Sequence, residues 1–152
     1  MFHGNAIIDG LNRFNLLLKD DYDNDALTEY LNLEELQLHI GIHPRMKWEQ
    51  NTHGYHAPLE ANGDSVENSA LLLTEALNDG IRGLIYAGDC DFVCNWIGNE
   101  AWTEELEWKG KESYNAAERV EWEVNGVSVG EIRQGRDTGF TFLRVYNAGH
   151  LV

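Results

Sequence analysis

The chain has 152 residues, 43% hydrophobic and 11% aromatic, which is enough to bury one sizeable core and too apolar for a disordered or fibrous protein. Its 26 acidic residues against 11 basic ones give a formal charge of -15. That balance excludes nucleic acid and anionic membrane as partners, since both need clustered Lys and Arg.

The two cysteines, Cys90 and Cys94, are too few for a disulfide-stapled scaffold, and no Asn-x-Ser/Thr acceptor occurs. Residues Met1 to Gly10 show no basic start followed by a long apolar run, and no stretch approaches membrane-spanning length. Neither a repeat nor a compositional linker divides the chain, so residues 1–152 are read as a single unit.

In chain order, Asp25 is placed to cap a helix in which Ala26, Leu27, Tyr30, Leu31 and Leu33 share a face, with Gly41 and Pro44 ending it. Residues Gln50 to Asn68, interrupted by Gly54, Pro58 and Gly63, read as irregular. Ser69 to Leu77 is a second amphipathic helix, and Asn78-Asp79-Gly80 is a turn. Leu84 to Ala87 form a short apolar run ending at Gly88, as in a buried strand. Val120, Trp122 and Val124 alternate with acidic residues, Asn125-Gly126 turns the chain, and Val127 and Val129 resume the alternation, which predicts a hairpin. Phe140, Phe142, Leu143 and Val145 predict a last strand, ending in Asn147-Ala148-Gly149-His150. The class is α/β.

Side chains that do chemistry in open α/β sheets gather at the carboxyl ends of strands, and Asp89, Asp91 and His150 all fall there. Spacing alone leaves other readings open. Aspartates after a strand are common turn formers, a single histidine near the end of a sequence is more often bland, and Cys94 has the size of an ordinary core residue.

The segment from Ile85 to Asn99, reading Ile-Tyr-Ala-Gly-Asp-Cys-Asp-Phe-Val-Cys-Asn-Trp-Ile-Gly-Asn and followed by Ala101-Trp102, resembles the surroundings of the catalytic Asp in serine carboxypeptidases of the carboxypeptidase Y and cathepsin A type. Phe142 to Val152 is similar to that family's segment around the catalytic His. A looser likeness covers Leu27 to Trp48. The resemblance implies the C-terminal part of an α/β-hydrolase fold, an incomplete sheet with flanking helices and a hairpin, in which triad residues follow the order Ser, Asp, His. It implies that Asp91 orients and stabilises the imidazole of His150, which moves the nucleophile's proton. It further implies that Cys94 and Leu151 line the pocket for the C-terminal residue of a peptide substrate, that Asp89 is structural, and that the compartment is vacuolar, lysosomal or secretory. No cofactor and no metal are implied.

The nucleophile is not assigned. Glu112-Ser113-Tyr114 imitates the family's core, but Lys111 and Asn115 stand where glycines belong and the segment follows Asp91 in the chain. Ser113 is therefore read as a solvated residue in the charged stretch from Glu104 to Arg119. Two readings from other classes compete: a zinc module built on His39, His43, His53 and His56, and a truncated or degenerate interaction protein. The first is weak, because no cysteine or clear carboxylate stands at ligand spacing and Pro44 interrupts the helix.

Overall fold

The computed structural model describes residues 10–20, 22–43, 46–49 and 56–151. The chain groups into two compact units, one of residues 1–21 with 69–152 and the other of residues 22–68.

The first unit is built on a mixed four-stranded sheet in the order β1-β4-β3-β2. Strand β1 (Gly83–Gly88) lies parallel to β4 (Phe140–Val145), with Gly83 opposite Phe140 and Gly88 opposite Val145. Strand β3 (Val127–Gln134) runs antiparallel to both β4 and β2 (Val120–Val124). The expected hairpin forms around Asn125 at φ 54° and Gly126 at φ 77°. Both central residues having positive φ matches the twist of a two-residue hairpin, the geometry that Asn-Gly favours. A register shift between Trp122 and Glu123 kinks β2.

Phe140 and Phe142 alternate onto one face of β4 and are buried with Leu77, Ala87, Leu106, Trp108 and Tyr114. The Phe140 ring meets Trp108 edge-on at 5.6 Å and Tyr114 at 5.0 Å. Burying each phenylalanine contributes on the order of 2–3 kcal/mol. The Tyr114 hydroxyl lies 2.9 Å from Thr103 Oγ1, which also donates to the Glu100 carbonyl, so both buried hydroxyls are satisfied, whereas the Trp108 Nε1–H in the same core has no hydrogen-bond partner.

Helices flank the sheet. Helix α4 (Ala70–Asn78) follows the expected amphipathic pattern and ends at Gly80, φ 83°. Helix α5 (Trp96–Glu105) is absent from the sequence reading, because it buries Glu100 and Thr103 and so shows little apolar periodicity. Its start is nevertheless written locally: the Asn95 side chain accepts the Gly98 N–H at 2.8 Å. Glu100 is 4% exposed and is held by Arg119 in a two-pronged pair and by Arg133 at 3.3 Å. Residues Lys111–Asn115 form the short helix α6 rather than a solvated loop, and Ser113 Oγ donates to the Arg136 carbonyl at 3.1 Å.

In the second unit the single expected helix is two. Helix α1 (Asp25–Leu31) and helix α2 (Glu34–His39) are separated by Leu33, which is extended at φ -64°, ψ 126°. Asn32 causes the break: its amide donates to the Trp48 carbonyl at 3.1 Å and accepts the Trp48 N–H at 2.8 Å. Gln37, 3% exposed, donates to the carbonyls of Leu31 and Met46. Within the stretch read as irregular, residues His56–Asn62 form helix α3 and Asp64–Val66 a 3-10 turn, while residues 50–55 lie outside the described residues. Among the described residues no helix is long and apolar enough to cross a membrane.

Candidate active site

Because β1 and β4 are parallel, their carboxyl ends open at the same edge of the sheet. The loops that leave them are stitched together: Asp89 N–H donates to the Val145 carbonyl and Cys90 N–H to the Ala148 carbonyl, each at 2.9 Å. The Asp89 carboxylate clamps the second loop, accepting the Asn147 N–H at 2.8 Å and pairing with Arg144 at 3.2 Å. These contacts fit the structural role expected for Asp89.

The stitching brings Asp91 and His150, 59 residues apart in sequence, to 2.8 Å between Oδ2 and Nδ1. The Asp91 side chain is 4% exposed and that of His150 43%. The carboxylate's other oxygen, Oδ1, accepts the Cys94 N–H at 3.0 Å, which fixes its rotation. With Nδ1–H donating to the carboxylate, the lone pair of the imidazole belongs to Nε2. A buried carboxylate behind a half-exposed imidazole can orient that base and stabilise its protonated form.

A segment outside every predicted element braces both loops. His150 N–H donates to the Phe14 carbonyl at 2.7 Å, Leu16 N–H to the Cys90 carbonyl at 2.9 Å, and Phe92 N–H to the Arg13 carbonyl at 3.1 Å. The Phe14 ring lies 5.4 Å from the His150 ring. Gly149 passes so close that a Cβ there would stand 2.5 Å from Asn15 Cβ. Asn12, 3% exposed, shapes this brace by accepting the Phe14 N–H and donating to the Asp20 carbonyl, both at 2.8 Å. The signal in the sequence was the pair Asn12 and Asn15, whose side chains cap backbone N–H groups two residues on.

Cys94 and Leu151 are both exposed, Leu151 by 64%. Both cysteines are free thiols. Partial desolvation, then the neighbouring Asp91 charge, push the Cys94 thiol above its ordinary value of 9.0. Desolvation, then the hydrogen bond to Asp89, act on Cys90 in the same direction. Among the described residues, Asp91, Cys94 and His150 gather three metal-type donor atoms within 4.8 Å of one another. Of the histidines weighed as zinc ligands, His39 and His43 join no such group among the described residues, and the side chains of His53 and His56 lie outside them.

One serine of the sequence does have glycines two residues away on either side: Ser128, between Gly126 and Gly130. The structure removes it as a nucleophile elbow. That geometry needs a sharp strand-to-helix turn, whereas Ser128 sits inside β3, paired with Glu123 across the hairpin.

Comparison with known proteins bears on this geometry. The profile of the family described as serine carboxypeptidase matches residues 12–152. The chain belongs to the serine carboxypeptidase family. It is 33% identical over 131 residues to "Serine carboxypeptidase-like 47" of Arabidopsis thaliana, covering 86% of this chain and 25% of that protein. It is 48% identical over 79 residues to "Carboxypeptidase Y" of Komagataella phaffii, covering 52% of this chain and 15% of that protein. The crystal structure of Kex1(delta)p, a prohormone-processing carboxypeptidase from Saccharomyces cerevisiae, superposes with a TM-score of 0.64 at 23% identity, covering 92% of this chain and 32% of that one. That likeness carries the fold: the mixed sheet with its flanking helices belongs to the α/β-hydrolase fold of the family. The matches span a quarter or less of the length of the curated family members, 25% of the first and 15% of the second.

Proposed function

We propose that this chain supplies the aspartate and the histidine of a serine carboxypeptidase triad in a longer parent protein that carries the nucleophilic serine. The observation behind the reading is the 2.8 Å contact between buried Asp91 and half-exposed His150 at the ends of two parallel strands. The need for a serine from elsewhere follows from the geometry of Ser113 and Ser128, neither of which stands at an elbow.

In this reading His150 Nε2 takes the proton of the serine hydroxyl as its oxygen attacks the carbonyl carbon of the last peptide bond. The tetrahedral intermediate collapses, the C–N bond breaks, and the imidazolium returns the proton to the departing amino acid. Water, deprotonated by the same nitrogen, then hydrolyses the acyl ester. Asp91 keeps its charge throughout and stabilises the imidazolium. Cys94 and Leu151 line the pocket for the side chain of the departing residue. The parent works in a vacuolar, lysosomal or secretory compartment.

The 152-residue chain alone is expected to release no C-terminal amino acid from blocked dipeptides, and sustained turnover by it would sink this reading. In the longer parent, Asp91→Asn is expected to lower kcat by about 10⁴-fold. A second reading, a non-catalytic interaction protein, is favoured by the absence of an elbow serine among the described residues. Immunoblotting of native tissue separates the two. A single species of the size of this chain supports the interaction protein, and a species several times larger supports the enzyme.

A further inference from the structure

We infer that Asp91, Cys94 and His150 form a binding site for one zinc-type divalent cation, with three protein donors and one coordination position left open. One donor atom from each residue lies within 4.8 Å of the other two. Zinc bonds of about 2.0–2.3 Å put donors around one tetrahedral ion about 3.3–3.8 Å apart, so the three side chains need close by only about 1 Å. The mixture of thiolate, imidazole and carboxylate selects zinc over magnesium or calcium, which take oxygen ligands. Three ligands with an open fourth position match the protein-ligand count of reactive zinc sites rather than of closed structural ones.

The surroundings hold these donors in place before an ion arrives. The Cys94 N–H bonded to Asp91 Oδ1 at 3.0 Å makes Asp91 and Cys94 two ends of one tight turn, and it occupies the carboxylate oxygen that does not face His150. His150 is anchored through its own N–H to the Phe14 carbonyl at 2.7 Å. Such outer partners fix ligand orientation. Access is open, since Cys94 is exposed and the His150 side chain is 43% exposed. The formal charge of -15 concentrates cations near the surface. On binding, the Cys94 thiol releases one proton to solvent and its sulfur forms the metal bond, while neutral His150 contributes a nitrogen lone pair and loses no proton.

Binding also has a consequence that rests on the function proposed above. An ion on Nε2 occupies the basic lone pair directly, and an ion on Nδ1 moves the ring proton to Nε2. Either way the imidazole can no longer accept a proton from a serine, so zinc is a reversible inhibitor of the parent's triad. The sequence alone points elsewhere for zinc, to His39, His43, His53 and His56.

The test is titration of the 152-residue chain with zinc chloride by calorimetry, and with cobalt(II) followed by its thiolate charge-transfer absorption. One ion per chain is expected, with that absorption present. Loss of an outer partner weakens metal binding by about 10–100-fold, so Cys94→Ser and His150→Ala are expected to weaken it by at least about 100-fold. Cys90→Ser and His39→Ala should leave it unchanged. Circular dichroism checks that each variant folds, and Cys94→Ala replaces Cys94→Ser should the latter not fold. Absence of binding with metal in molar excess overturns the proposal, as does binding that survives loss of Cys94 or disappears with Cys90. Neither result touches the hydrolytic reading, which stands or falls on turnover by the parent.

Discussion

A Cβ built on Gly88, the last residue of β1, would lie 2.2 Å from the carbonyl oxygen of Ala148. The loop that carries Asp91 therefore leaves its strand directly beneath the loop that carries His150, and glycine is required because the neighbour is backbone and cannot turn aside. Gly88→Ala is expected to destabilise the fold by about 1–3 kcal/mol, as overpacking of a tight contact does. A urea melt followed by circular dichroism measures it, and a midpoint equal to that of the unsubstituted chain would contradict it.

The brace from Asn12 to Leu18 gives a second expectation. Asn12→Ala leaves the Phe14 N–H and the Asp20 carbonyl without their partners, at a cost of about 1–3 kcal/mol. Since Phe14 in turn accepts the His150 N–H, hydrogen exchange at His150 should accelerate along with that at Phe14. Unchanged exchange at His150 would show that the brace does not hold the imidazole.

How much of this could be read from the sequence varies with how local the cause is. Strands β1 and β4 and the hairpin were legible, because apolar runs, alternation and an Asn-Gly turn are short-range signals, but β1 is not the buried strand its apolar run suggests, since Leu84 and Tyr86 on one face are exposed. The helix over Asp25 to Gly41 was drawn too long, because Asn32 breaks it through a contact with Trp48 that no periodicity reveals. Helix α5 was missed because its inward positions include Glu100, whose burial depends on Arg119 and Arg133 from elsewhere in the chain. Asp91 and His150 were found by resemblance, and their mutual contact is a tertiary fact. The brace was missed since it joins residues 12–18 to two loops through backbone groups, which carry no residue identity. Ser128 shows the reverse case: a motif spacing present in sequence with the wrong local structure beneath it.

The thiol of Cys94 offers a chemical test of its surroundings. Its raised pKa means that less thiolate is present at neutral pH than for an ordinary cysteine, so alkylation by iodoacetamide should be slow near pH 7 and climb through and above 9.0. Asp91→Asn removes the charge, the second of the two causes, and since Cys94 is exposed this is the cause a substitution can relieve. The rate near pH 7 is expected to rise. A slower or equal rate in that variant would contradict the arrangement.

Strand β1 pairs on one side only, with β4, among the described residues, and Leu84 and Tyr86 along it are 57% and 58% exposed. Leu71 and Leu72 of α4 are more exposed still. An open edge with apolar side chains promotes pairing with other chains. The 152-residue chain is expected to self-associate as its concentration rises, and Leu84→Lys with Tyr86→Lys to suppress this in sedimentation. Association indifferent to those changes would place the sticky surface elsewhere.

The central claim is that Asp91 fixes the tautomer of His150 and so makes Nε2 the base. Nitrogen-15 NMR of the histidine-labelled chain, at a pH where the imidazole is neutral, reads this directly. The account predicts a proton on Nδ1 and a bare Nε2 for His150, with the preference lost in Asp91→Asn. A His150 protonated on Nε2, or one whose tautomer is untouched by that substitution, would contradict it.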